Sequence, residues 1–165
     1  MTDQIAARPK TLSMPVVWAI GAVLVLAMSA VGPLILLDGG AIGGTFYVIV
    51  HAHYFISFAA AFAVFAAIYL IFERALILPY RRPLAFIHFA ISLTGSVLIF
   101  SPAIGLAILG IANPSIDAKA AFAVCQALTS LGYGVIFIGL LVFLALLADA
   151  VRGRLMVGRG RHSSY

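Results

Sequence analysis

Residues 45–72 read "TFYVIVHAHYFISFAAAFAVFAAIYLIF", a stretch without a single Asp, Glu, Lys or Arg that is interrupted only by two histidines one residue apart. At about 1.5 Å per residue, a helix of this length crosses a hydrocarbon core roughly 30 Å thick with residues to spare. Three further charge-free stretches match it, at 12–37, 83–116 and 120–148. The 165-residue chain is 64% hydrophobic and only 9% charged. Such a composition has too little polar surface for a soluble domain of this size. The expected fold is therefore all-α, a polytopic membrane protein built as a four-transmembrane-helix bundle.

Working outward from the second helix, the expected domains are a cytoplasmic amino-terminal segment over 1–13, the four-helix domain over 14–148 and a basic, flexible cytoplasmic tail over 149–165. The first helix covers "PVVWAIGAVLVLAMSAVGPLILL", with Pro15 in its first turn, where a missing N–H costs little. Gly32-Pro33 is expected to bend or shorten it. The third helix starts near Pro83 and is expected to break near Phe100, at "SPAIG". The fourth runs from about Ala120 to Ala148. Small residues in "AAAFAVFAA" and "GYG" offer places for close helix packing.

Arg8 and Lys10, then Arg74, Arg81 and Arg82, then Arg152, Arg154, Arg159 and Arg161 all fall on one side of a four-span chain, opposite Lys119. The positive-inside rule places that side, and both termini, in the cytoplasm of a bacterial inner membrane. The net charge of +5 thus records membrane flanks and contact with anionic lipid, with no nucleic acid partner expected. The first apolar stretch is longer than the core of a cleaved signal peptide. Cys125 has no second cysteine to pair with and reads as a small packing residue.

His51 and His53 lie toward the outer face. Residues two apart on a helix point in nearly opposite directions, so this pair does not clamp one metal as an i,i+4 pair would. Two readings stay open on spacing alone. Either each histidine serves a different site on either side of the helix, haem iron being a common partner of neutral imidazole, or both are satisfied by water, headgroups and carbonyls. His88 falls near the start of the third helix, some 20 Å along the membrane normal from the pair by helical rise, too far to share a haem with it. His162 is expected to be solvated, and Asp38 likewise. Tyr47 and Tyr54 read as interfacial aromatics that could alternatively donate a hydrogen bond near a bound group.

These stretches resemble the carboxy-terminal third of haem-copper oxidase subunit I, the catalytic chain of cytochrome c oxidases. "MPVVWAIG" resembles the start of that family's ninth helix, "TFYVIVHAHYFISFAAAFAVFAAIYLIF" its tenth and "LAFIHFAISLTGSVLIFSP" its eleventh, with the fourth helix here a looser match to the twelfth. The resemblance implies that His51 takes the role of proximal ligand to a high-spin haem iron and His53 that of ligand to a low-spin haem iron. Departures bound what it carries. Gly43 and Gly44 stand where the family has an outer metal site, "GIANPS" stands where it has an arginine pair for haem propionates, and the helices bearing the copper ligands have no counterpart. The expectation is a haem-binding membrane protein with b-type haem favoured and copper not expected, an electron carrier in a homo-oligomer, most simply a dimer, or in a respiratory membrane complex. On its own this chain is not expected to be a complete oxygen reductase, and a place as a component of a cytochrome oxidase stays open. The alternatives are a non-catalytic accessory or assembly subunit and one part of a split oxidase subunit.

Overall fold

The computed structural model describes the backbone of residues 12–38, 46–108 and 119–162, with side chains over 12–28, 53–102, 120 and 123–154. The expected positions Arg8, Lys10, Gly43, Gly44 and "GIANPS" lie outside the described residues, as do the side chains of Asp38, Tyr47, His51, Lys119, Arg159, Arg161 and His162. Among the described residues four helices follow in chain order: α1 (Met14–Asp38), α2 (Phe46–Arg74), α3 (Arg82–Ile108) and α4 (Lys119–His162). Segments His53–Arg74, Arg82–Pro102 and Ala123–Arg154 are each long and apolar enough to cross a membrane, and Met14–Met28 is a shorter apolar helix. The protein is an all-α membrane bundle.

Two boundaries differ from the sequence reading. The third helix does not break near Phe100; it carries Pro102 inside it and continues to Ile108. In lipid an interrupted backbone has no water to satisfy its polar groups, so continuing the helix around the proline costs less than ending it. The fourth helix likewise passes Ala148 and runs to His162. Its extension "DAVRGRLM" holds Ala, Arg, Leu and Met, strong helix formers that extend a helix already nucleated upstream.

Helices in lipid gain little from the hydrophobic effect, and their association rests on close packing. Here α1 packs along α2, α3 packs along α4, and α1 also reaches α3. The α3–α4 contact is built on glycine. A Cβ added to Gly132 would lie 2.7 Å from Ile99 Cγ1 and 2.9 Å from the Gly95 carbonyl oxygen, and one on Gly95 would lie 2.8 Å from Ile136 Cγ1. Gly139 meets Ser92 in the same way. Of the two glycines in "GYG", only Gly132 serves this contact, because Gly134 faces open space.

The remaining seam, between α2 and the α3–α4 pair, is filled by rings. Phe55 stacks on Phe100 at 4.1 Å and Phe58 meets Phe100 edge-on at one end. Toward the other end Phe65 and Tyr69 meet His88 and Phe143. Trp18 of α1 is fully buried against Phe62, Phe65, Tyr69, His88 and Phe89.

The α2–α3 connection turns through Ile77, whose positive φ of 47° lets the Leu78 N–H donate to the Phe72 carbonyl. Arg81 in this connection pairs with Asp149 of α4 at 3.0 Å. That places Arg74, Arg81, Arg82, Arg152 and Arg154 at one end of the bundle, hereafter the basic end, and His53 toward the other. The pair itself is solvent-exposed and adds no more than about 1 kcal/mol. Beside it the Tyr80 hydroxyl donates to Glu73 Oε1. Burial first, and then this carboxylate acceptor, hold the Tyr80 phenol above its ordinary pKa, so the bond persists through the physiological pH range.

Gly132→Leu is expected to destabilise the bundle by about 1–3 kcal/mol through overpacking, whereas Gly134→Leu should be neutral or slightly stabilising through helix propensity. Equilibrium unfolding of the two variants in mixed micelles checks this contrast. Equal destabilisation at both positions would remove the glycine contact as the basis of the α3–α4 pairing.

Candidate functional site

The faces of α2 follow from one inward anchor. Tyr69 is fully buried, and its hydroxyl lies 3.1 Å from Nδ1 of His88, which is also fully buried. Phe55, Ala59, Phe62 and Phe72 share the buried side of the helix. His53 precedes Tyr69 by sixteen residues, which at 100° per residue leaves it about 160° around the helix from the buried phenol. It is exposed accordingly, on the side of α2 that faces away from the bundle.

Below His53 the same outward stripe continues through Ser57, Ala60, Val64, Ala67 and Ile71, all exposed. The spacing alternates between three and four residues, the rhythm that keeps one helix face turned toward a neighbouring helix. Ser57 donates to the His53 backbone carbonyl at 2.8 Å, so its hydroxyl is satisfied within α2 and does not compete for the imidazole. Serine and alanine leave this face shallow. Shallow faces permit close approach of another helix or of a flat ligand.

His51 lies within the helical backbone of α2, with its side chain outside the described residues. One turn along, Phe55 fills the inward side of the helix by stacking on Phe100. His88 sits about 24 Å along α2 from His53, measured through its partner Tyr69 by helical rise. The structure thus does not bring His53 and His88 together. Among the described residues, no group of three or more His, Cys, Asp or Glu side chains comes together. Tyr54, one residue beyond His53, is exposed. Cys125 Sγ lies 4.0 Å from the Pro102 carbonyl oxygen, in keeping with a packing role between α3 and α4. Arg81, paired with Asp149, stays at the basic end as expected.

The part played by Trp18 and Tyr69 around His88 is absent from the sequence reading. The available signal was the abundance of rings, since a buried imidazole in lipid has to find a hydrogen-bonding partner on another helix.

No protein-family model matches this chain. It is 30% identical over 139 residues to cytochrome c oxidase subunit 1 of Cereibacter sphaeroides, an alignment that covers 82% of this chain and 25% of that relative. The chain therefore spans about a quarter of the length of the curated relative it matches. The similarity is partial and of the oxidase-subunit kind, in agreement with the resemblance of the helices.

Tyr69→Phe keeps the ring and removes the hydroxyl that meets His88. It should cost about 1–3 kcal/mol by leaving a buried nitrogen unpartnered. His53→Ala, on the exposed face, should change the stability of the haem-free protein by no more than about 0.5 kcal/mol. Thermal unfolding in detergent distinguishes them, and a larger loss for His53→Ala would contradict the assignment of faces.

Proposed function

We propose that this chain is a haem-binding protein of the bacterial inner membrane that transfers electrons through a haem held by His53 at the interface of two copies. The observation that carries the reading is the outward direction of His53 at the head of a shallow stripe on α2. An imidazole on the lipid face of a span is costly unless something outside its own bundle satisfies it. In a two-fold dimer the same face meets itself, and the two His53 side chains arrive at equal depth in the membrane. Small residues below them give a macrocycle and a second helix room to approach. The His53 imidazole of each copy would hold the haem iron, which would supply one-electron chemistry there. This chain's own contribution is to hold the two imidazoles apart from water on an apolar face.

His53 is favoured over His51 because it stands on the exposed face of α2 and because the resemblance gives it the low-spin haem. Both remain candidate haem-iron ligands by resemblance. The partial similarity to an oxidase subunit supports haem as the cofactor class and a respiratory membrane setting. Grouping of the arginines at the basic end supports a cytoplasmic location for that end and for both termini. The same outward stripe favours one further reading, in which it docks against another subunit of a respiratory complex and the chain is a non-catalytic accessory or assembly subunit. A split oxidase subunit is the variant of this reading in which the docked polypeptide carries the missing ligands.

Visible spectra of gently purified protein, oxidised and reduced, test the proposal alongside His51→Ala and His53→Ala. The expected result is a Soret band with low-spin reduced bands that disappears in His53→Ala and survives in His51→Ala. Loss in His51→Ala alone would overturn the choice of ligand. A colourless, folded protein that takes up no added haem would overturn the carrier reading in favour of the accessory subunit.

A further inference from the structure

Trp18 of α1, Tyr69 of α2 and His88 of α3 are fully buried where the three helices meet, within a few turns of the basic end. The indole and imidazole rings lie 4.7 Å apart between centroids. Trp18 Nε1 and His88 Nε2 have no hydrogen-bond partner among the described residues, while His88 Nδ1 meets the Tyr69 hydroxyl. Neither orphaned nitrogen belongs to the proposed haem site, which lies about 24 Å away along α2.

The tautomer determines what the orphans ask for. A neutral imidazole carries its proton on one nitrogen and a lone pair on the other. A phenol is satisfied best here by donating its proton, since Nδ1 is the partner it meets. Donation to Nδ1 leaves the imidazole proton on Nε2. Indole Nε1 is a donor only. Two N–H donors from different helices, on rings in contact, thus share one need: an acceptor.

We propose that Trp18 Nε1–H and His88 Nε2–H form a binding site for a single small neutral hydrogen-bond acceptor, a water oxygen, inside the membrane-embedded part of the bundle. A water oxygen has two lone pairs, one for each donor, and buried waters characteristically join polar groups that lack other partners. A bare anion fits the site less well. The lining rings, Phe62, Phe65, Phe89 and Phe143, carry no formal charge to offset its desolvation. The protons of the water find the ring faces, which accept weakly. The site would tie α1 to α3 through a polar bridge, beside the Tyr69–His88 bond that ties α2 to α3.

The chain has one tryptophan, so every indole signal reports on Trp18. The experiment uses the full chain in lipid vesicles, which add no other indole, reading the indole N–H vibration by infrared and ultraviolet resonance Raman spectroscopy in ordinary water and in water carrying oxygen-18. The expected result is a hydrogen-bonded indole N–H together with a sharp water O–H band that shifts with oxygen-18 and vanishes in Trp18→Phe. A free indole N–H in the folded wild type would overturn the proposal. So would a hydrogen-bonded indole without any isotope-sensitive water band, the signature of a direct bond to the imidazole in its other tautomer. If Trp18→Phe fails to fold, the two wild-type readings decide alone. Haem content plays no part in either, so this test and that of the carrier reading fail independently.

Discussion

The hydrogen bond between Tyr69 and His88 orients α2, and the direction of every other residue on that helix depends on it. In lipid, an imidazole placed deep in a bundle without a partner would carry a desolvation cost that the packing of apolar neighbours could not offset. The phenol supplies the partner and turns its own side of α2 toward α3. Helical geometry then leaves no freedom sixteen residues away, and His53 must face outward. A local polar requirement near the basic end thus sets the outward direction of His53 near the other end.

Packing around this bond divides into two kinds of contact. Between α3 and α4, glycines bring backbones together, with Gly95 and Gly132 each filling a space that no larger residue could share. Between α2 and the α3–α4 pair, large rings span a wider separation, from Phe55 and Phe58 on Phe100 to Tyr69 and Phe72 beside Phe143. Trp18 closes the junction from α1. Close contact and ring-filled seam are complementary: the first provides a tight pair, and the second holds α2 at a distance set by aromatic side chains. On the far side of α2 from this seam, the face that carries His53 is exposed.

Much of the fold was legible in the charge-free stretches, because a membrane span must be both long and apolar and few alternatives meet both conditions. The helix ends were less so. Pro102 reads as a stop in the currency of soluble proteins, yet α3 passes through it, because breaking a helix in lipid strands backbone groups without water. Arginines after Ala148 read as a tail, yet helix formers among them carry α4 on to His162. Facing was the least legible property. Helices apolar on every side carry no stripe to mark the core, and the spacing of His51 and His53 gave opposite directions without saying which of them pointed out. The direction of His53 emerged only once His88 was seen to meet Tyr69, a contact between residues on neighbouring helices that no spacing in one helix encodes.

The most direct test of this account is the ratio of haem to polypeptide in the purified protein, taken with its native mass in lipid nanodiscs. One haem per two chains in a dimer, falling to haem-free chains in His53→Ala, is the result expected if α2 presents His53 to a second copy. One haem per chain in a monomer would contradict it, since the ligand would then have to lie inside the bundle rather than on its outward face.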